Sequence, residues 1–188
     1  MYRALLADAR FHELLLAFDR DLAAGARAAG CARCGGVLHS ARFRRKPRGG
    51  PAGLGEDHAR RFSFCCAEDL CRKRATPASF RFLGRKGYLG AVVVLVAAMR
   101  QGATAARRLS ELFGVNRRTI GRWREWWRGA FAASPYWKVA AATFLPPVER
   151  ERLPASLLER FSGDAPTRLV ALLRLLLPIT GGAAMHAA

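Results

Sequence analysis

A mainly α-helical fold with one small β unit near its start is what this sequence predicts, on three observations. Apolar residues recur at three- and four-residue spacing across residues 9–30 and again in almost every segment after Gly87. Between residues 31 and 84 that period gives way to short alternating stretches, glycine and proline. All five cysteines, Cys31, Cys34, Cys65, Cys66 and Cys71, fall inside that interval. With 188 residues, 51% of them apolar, the chain can fill the core of one ordinary domain or two small ones.

Residues 1–30 are read as an N-terminal amphipathic helix. Phe11, Leu14, Leu15, Phe18 and Leu22 form its apolar stripe, Asp19, Arg20 and Asp21 fall elsewhere, and Gly30 ends it. Residues 31–84 form the β unit. "CARCGGVLHSARF" holds a cysteine pair, two glycines and a strand-like alternation; "RRFSFCC" and "ASFRFLG" are the second and third strand candidates. A basic Pro/Gly loop, residues 44–57, lies between the first two. Helices follow, with residues 87–132 and 133–188 as successive units and no internal repeat.

The cysteine spacing carries chemistry. Cys31 and Cys34 stand two residues apart, and a second pair, Cys65 or Cys66 with Cys71, follows after about thirty residues. Two short-spaced thiol pairs on facing turns of a small sheet can supply the tetrahedral donor set that zinc requires, which is the plan of a zinc ribbon. The gap between pairs is lengthened by the basic loop, and the second pair is wider than the commonest spacing. If Phe62 and Phe64 face inward, period-two alternation places Cys66 with them and Cys65 opposite. The expected ligands to Zn2+ are therefore Cys31, Cys34, Cys66 and Cys71, with Cys65 and His39 as alternates and His58 behind them. Metal binding would supply folding energy that so small a sheet lacks. The competing reading is that the cysteines pack as small hydrophobes.

"ARRLSELFGVNRRTIGRWREWW", residues 106–127, has the order of a helix-turn-helix. Leu109, Leu112 and Phe113 face the first helix inward, Gly114 turns the chain, and Val115 fills the elbow. Asn116 caps a second helix whose buried stripe is Ile120, Trp123 and Trp127. Arg117, Arg118, Gly121 and Arg122 remain for solvent. Arginine pairs bidentately with guanine, and a small residue permits close approach, so this face suits the major groove of duplex DNA. Arg107 and Arg108 are expected to assist. "GYLGAVVVLVAAMRQG" completes a trihelical unit. The bland alternative is a helical hairpin with a solvated basic face.

Net charge is +18, and residues 31–128 carry +16 of it. Such an excess favours polyanionic partners. In the basic loop and just before it, Arg42, Arg44, Arg45, Lys46 and Arg48 are candidate phosphate contacts. The loop lacks the Gly-Lys-Ser/Thr ending of a nucleotide-binding loop. The N-terminus shows no signal-peptide pattern, and "YLGAVVVLVAAM" is shorter than the roughly 20 residues of a membrane span. Together these point to a cytoplasmic protein with reduced thiols and no membrane partner.

A zinc ribbon followed by "LFGVNRRTIGRW" resembles the DNA-binding portion of bacterial insertion-sequence transposases and of accessory proteins encoded by mobile elements. "PRGGPAGLGE", "RFSFCC" and "RFLGRKGYLG" also resemble an uncharacterised family from GC-rich bacteria. The resemblance covers about residues 31–128 and implies binding to element ends or a promoter, with a separate transposase or integrase as partner. Such transposases carry an acidic catalytic trio on a nuclease fold. After residue 128 the only acidic residues here are Glu149, Glu151, Glu159 and Asp164, in helical surroundings. The expectation is a DNA-binding module without a catalytic domain, hence no enzyme. The terminal helices carry apolar surface enough to cover one another or a second copy, and a homodimer would read two half-sites. Two rivals are an RNA-binding ribbon protein and a transcriptional regulator unrelated to mobile elements. Trp126, Trp127, Tyr136 and Trp137 offer base stacking or, at helical spacing, core packing.

Overall fold

The computed structural model describes residues 2–45, 49–83, 88–101 and 105–181, and the chain is mainly helical with small sheets. The N-terminal segment forms two helices, α1 (Tyr2–Ala7) and α2 (Ala9–Ala28). Asp8 separates them because its side chain accepts the Arg10 amide and caps α2. The buried face of α2 is Phe11, His12, Leu15, Leu16, Asp19 and Ala23. It is rotated from the expected stripe: Leu14 is exposed, whereas Asp19 is buried.

Burial of that carboxylate has a partner. Asp19 and Arg81 are both 1% exposed and form an ion pair of 2.8 Å. Asp19 also accepts from the Ser79 hydroxyl and the Phe80 amide, each at 2.6 Å. The Arg81 guanidinium donates onward to the carbonyls of Asp57, His58 and Arg60. One salt-bridged arginine thus ties α2 to its own segment and to residues 57–60, which lead into the Arg60–Arg61 strand.

The β unit comprises β1 (Leu38–Ser40), β2 (Phe43–Arg44), β3 (Arg60–Arg61), β4 (Phe64–Cys66) and β5 (Arg74–Ala75). One antiparallel sheet has the order β1-β4-β5, with Leu38 opposite Cys66 and His39 opposite Cys65; β2 and β3 pair separately. The third strand expected at "ASFRFLG" is a correction: β5 lies earlier, and Ser79 to Phe82 are buried against Asp19 instead, with Phe82 making only an isolated bridge to Leu89. The sheet fills its third place with the segment that returns directly from Cys71, where Arg72 takes a left-handed φ of 42°.

Helix α3 (Gly90–Gln101) runs through the main core, its residues Ala91 to Ala97 all buried. Around it pack α1, α4 (Ala106–Phe113), α5 (Arg117–Trp126), α7 (Ala155–Leu158) and α8 (Ala165–Leu175). Helix α6 (Pro135–Ala141) lies between α5 and α7 in the chain and buries Trp137. Described residues from all three helical stretches, among them Leu15, Val94, Trp127 and Leu172, therefore share one hydrophobic cluster, and Cys31, Leu38, Phe64, Cys66 and Ala23 form a smaller second one. Trp127 and Trp137 belong to the first, in a chain of ring contacts through Phe131. Among the described residues no helix is long and apolar enough to cross a membrane.

Candidate functional site

Two turns bring four cysteines together. Helix α2 ends, Gly30 turns with a φ of 74°, and the chain doubles back so that the Cys31 amide donates to the Gly36 carbonyl while the Gly35 amide donates to the Cys31 carbonyl. A side chain at Gly30 would stand 2.8 Å from the Gly35 carbonyl oxygen, so only glycine fits there. The second turn joins β4 to β5, with the Cys71 and Arg72 amides both donating to the Glu68 carbonyl. These turns place the Sγ atoms of Cys31, Cys34, Cys66 and Cys71 within 4.8 Å of one another.

The geometry fits a single tetrahedral ion. A metal–sulfur bond of about 2.3 Å in a tetrahedron sets sulfurs about 3.8 Å apart. Cys31 and Cys71 are 3.7 Å apart, and Cys34 and Cys66 are 3.4 Å apart. Both separations are far beyond a disulfide bond of about 2.05 Å.

The electrostatics of the thiols are divided. The backbone amides of Arg33 and Cys34 point at the Cys31 sulfur and hold its pKa down to about 6. Cys66, fully buried in the small cluster, is pushed up to about 12 by desolvation, against the pull of the Glu68 amide. On Cys34 the Gly36 amide and Cys66 pull down, yet Cys71, burial and Cys31 together raise it. Four thiols this close cannot all ionise by themselves; a dication would offset the repulsion, and the amides already aimed at the sulfurs would support the thiolates.

The alternates lie elsewhere. Cys65 is on the opposite face of β4, where its thiol donates to the Arg72 carbonyl at 3.5 Å, and His39 faces it across the sheet, exposed. His58 is buried and bonds Glu13 at 2.9 Å. Gly36, one of the two glycines that follow the first cysteine pair, stands where a Cβ would come within 3.3 Å of the Cys66 sulfur and 3.4 Å of the Cys34 sulfur.

A second array lies on α4 and α5. Gly114, with a φ of 61°, closes α4, and the Asn116 side chain accepts the Arg118 amide at 2.8 Å to open α5. Leu109, Val115, Ile120, Trp123 and Trp127 are buried, as is Thr119, while Leu112 is exposed. Arg117, Arg118, Gly121 and Arg122 are exposed along one side of α5. Arg122 donates to the Thr119 hydroxyl, which holds its guanidinium near the helix surface. Arg107 and Arg108 are exposed on α4, Arg107 in an ion pair with Glu111.

The candidate phosphate contacts are less uniform. Arg42 lies 4.9 Å from the ring centroid of Phe62, and Arg45 at the same distance from that of Phe43. Arg44 is exposed but bound to Glu56 at 2.6 Å. Lys46 and Arg48 lie outside the described residues. Fold and site define a mainly helical protein in which a four-cysteine cluster and an arginine-lined helix face stand on separate elements. The chain matches no known protein family, no curated protein and no solved structure.

Proposed function

We propose that the protein binds duplex DNA with sequence preference, α5 entering the major groove as the second helix of a helix-turn-helix, and that the four cysteines hold Zn2+ as a structural ion in a ribbon. The observation that carries this reading is the division of α5 into two sides. Thr119, Ile120, Trp123 and Trp127 anchor it in the core, while Arg117, Arg118 and Arg122 project together around Gly121. Guanidinium groups provide the paired donors that guanine edges and phosphates accept, and Gly121 leaves room for a base edge between them. The Arg107–Glu111 pair is exposed on both sides, the kind that contributes only about 0.3–0.5 kcal/mol, so a phosphate displaces Glu111 readily.

Zinc fits the cysteine set because thiolates at these separations suit its size and charge, and the bound ion would cross-link the two turns. The reading is one of binding without cutting. The resemblance of "LFGVNRRTIGRW" to transposase DNA-binding regions directs the search for a site first to mobile-element ends and nearby promoters.

The test is selection of bound duplexes from a randomised pool at near-physiological salt, with protein purified in zinc. A consensus is expected, and Arg118→Ala is expected to weaken the selected site by about 1–3 kcal/mol while relaxing preference at one position. Binding with no consensus and a steep loss in salt would reduce the basic face to electrostatic grip and refute sequence recognition.

A further inference from the structure

Helix α2 and the strand pair β1–β4 do not close on one another completely. Between them lies a groove of about 560 Å3. Its walls carry Arg20 and Arg27, seven residues apart on α2, and Arg42 just beyond β1; Ser40 adds a hydroxyl, and half-buried Phe62 lines its base with Phe64 buried beside it. The remaining lining residues are alanines of α2, and among the described residues no acidic side chain lines it. Alanine is what keeps the groove open, because larger side chains at those positions would fill it.

The charges and rings are arranged together. The Arg42 guanidinium lies 4.9 Å from the Phe62 ring centroid, and buried Arg81 lies 5.6 Å from the same ring. Arg27 is exposed, and Arg20 pairs with Asp57 at 3.2 Å with both side chains about half exposed, an ion pair that solvent screens and an incoming anion can replace. The phosphodiesters on either side of a nucleotide can accept from these guanidinium groups, and the flat face of an unpaired base can stack on the Arg42 guanidinium that lies over Phe62. An acidic side chain would engage the arginines but leave the Arg42–Phe62 pair without a flat partner. The volume is that of a site for one or two nucleotides and excludes a duplex.

We infer that this groove takes single-stranded nucleic acid, one unstacked base together with its flanking phosphates, at a site separate from α5. Phe64 and Ala23 belong to the same buried cluster as Cys31 and Cys66, so the groove is built on the cysteine cluster.

Fluorescence anisotropy with a short labelled oligothymidylate, at near-physiological salt and with zinc-purified full-length protein, tests the inference. An oligonucleotide of the same length with an abasic backbone is expected to bind at least about fivefold more weakly, since stacking a base is worth on that order. Arg27→Ala and Arg42→Ala are each expected to weaken the oligothymidylate several-fold with an unchanged circular dichroism spectrum. Arg118→Ala on α5 is expected to leave it unchanged, which separates this site from the duplex reading. Equal binding of the abasic strand, or full binding by both groove variants, would overturn the inference. Competition by thymidine monophosphate as effective as by the strand itself would assign the groove to a free nucleotide and overturn it as a strand site.

Discussion

Replacing Asp19 by alanine removes the one carboxylate that faces Arg81 in the interior. Both side chains are 1% exposed, and Asp19 accepts three hydrogen bonds, from Arg81 Nε, Ser79 Oγ and the Phe80 amide. The replacement leaves a buried guanidinium without its counter-charge and strips partners from a hydroxyl and an amide. Breaking a buried pair from one side costs about 3–5 kcal/mol, against a total of about 5–15 kcal/mol for a typical domain. For a chain of this length that corresponds to a melting temperature lower by on the order of 10 °C. Urea unfolding followed by tryptophan fluorescence reads the loss directly, since Trp123, Trp127 and Trp137 are all buried in the main core.

Asp19→Asn, which keeps an acceptor oxygen but not the charge, is expected to lose less than Asp19→Ala. The double replacement Asp19→Leu with Arg81→Met is not expected to recover stability fully, because the carbonyls of Asp57, His58 and Arg60 then lose the Arg81 donors at about 1–3 kcal/mol for each left unsatisfied. A loss below about 1 kcal/mol in Asp19→Ala would refute the view that this pair joins α2 to the loops around it.

Two further perturbations probe other parts of the molecule. In Gly36→Ala the new methyl meets Glu68 Cγ at 2.7 Å, which can swing away, but also two cluster sulfurs, which cannot without disturbing the donor set. Metal affinity measured against a chromophoric chelator is expected to fall about tenfold, and unchanged affinity would show that the sulfurs have slack. His12 is buried, and its Nε2 contacts the Leu6 carbonyl at 2.9 Å, so the neutral ring must carry its proton there to donate. Burial, aided by nearby His58, lowers its pKa below the ordinary 6.5. The unfolded chain then binds the proton more readily, so stability is intact above about pH 6.5 and falls as pH drops toward the folded pKa. An NMR titration should place the His12 transition below 6.5; a transition at or above that value would contradict the burial argument.

The helices were legible because their signals are local. Phe11 and Leu15, and Ile120, Trp123 and Trp127, recur at the period of the helix they bury, and Asn116 caps where its residue type predicts. The choice between Cys65 and Cys66 was legible for the same reason, since Phe64 and Cys66 share one face of a strand with a period of two. The direction of the α2 stripe was not. Asp19 faces inward only because Arg81, sixty-two residues later, delivers a guanidinium to that point. No spacing within either segment records that meeting. The strand expected at residues 78–84 failed for the same cause, as Ser79 to Phe82 answer to Asp19 and the main core and not to a neighbouring strand.

By itself, then, the sequence determined the helical class, the cysteine pairs and the arginine face of α5, all consequences of periods and turns a few residues long. Tertiary structure decided how the charge of the middle segment is divided. Arg61 and Arg81 are 3% and 1% exposed, and burial pushes Arg61 down to about 10 while it donates to the carbonyls of Pro77 and Thr180. Arg118, Arg122 and Arg27 remain in solvent. Identical side chains differ in this way because a guanidinium goes inside only where distant segments supply enough acceptors to replace water, and which segments those are is a property of the fold.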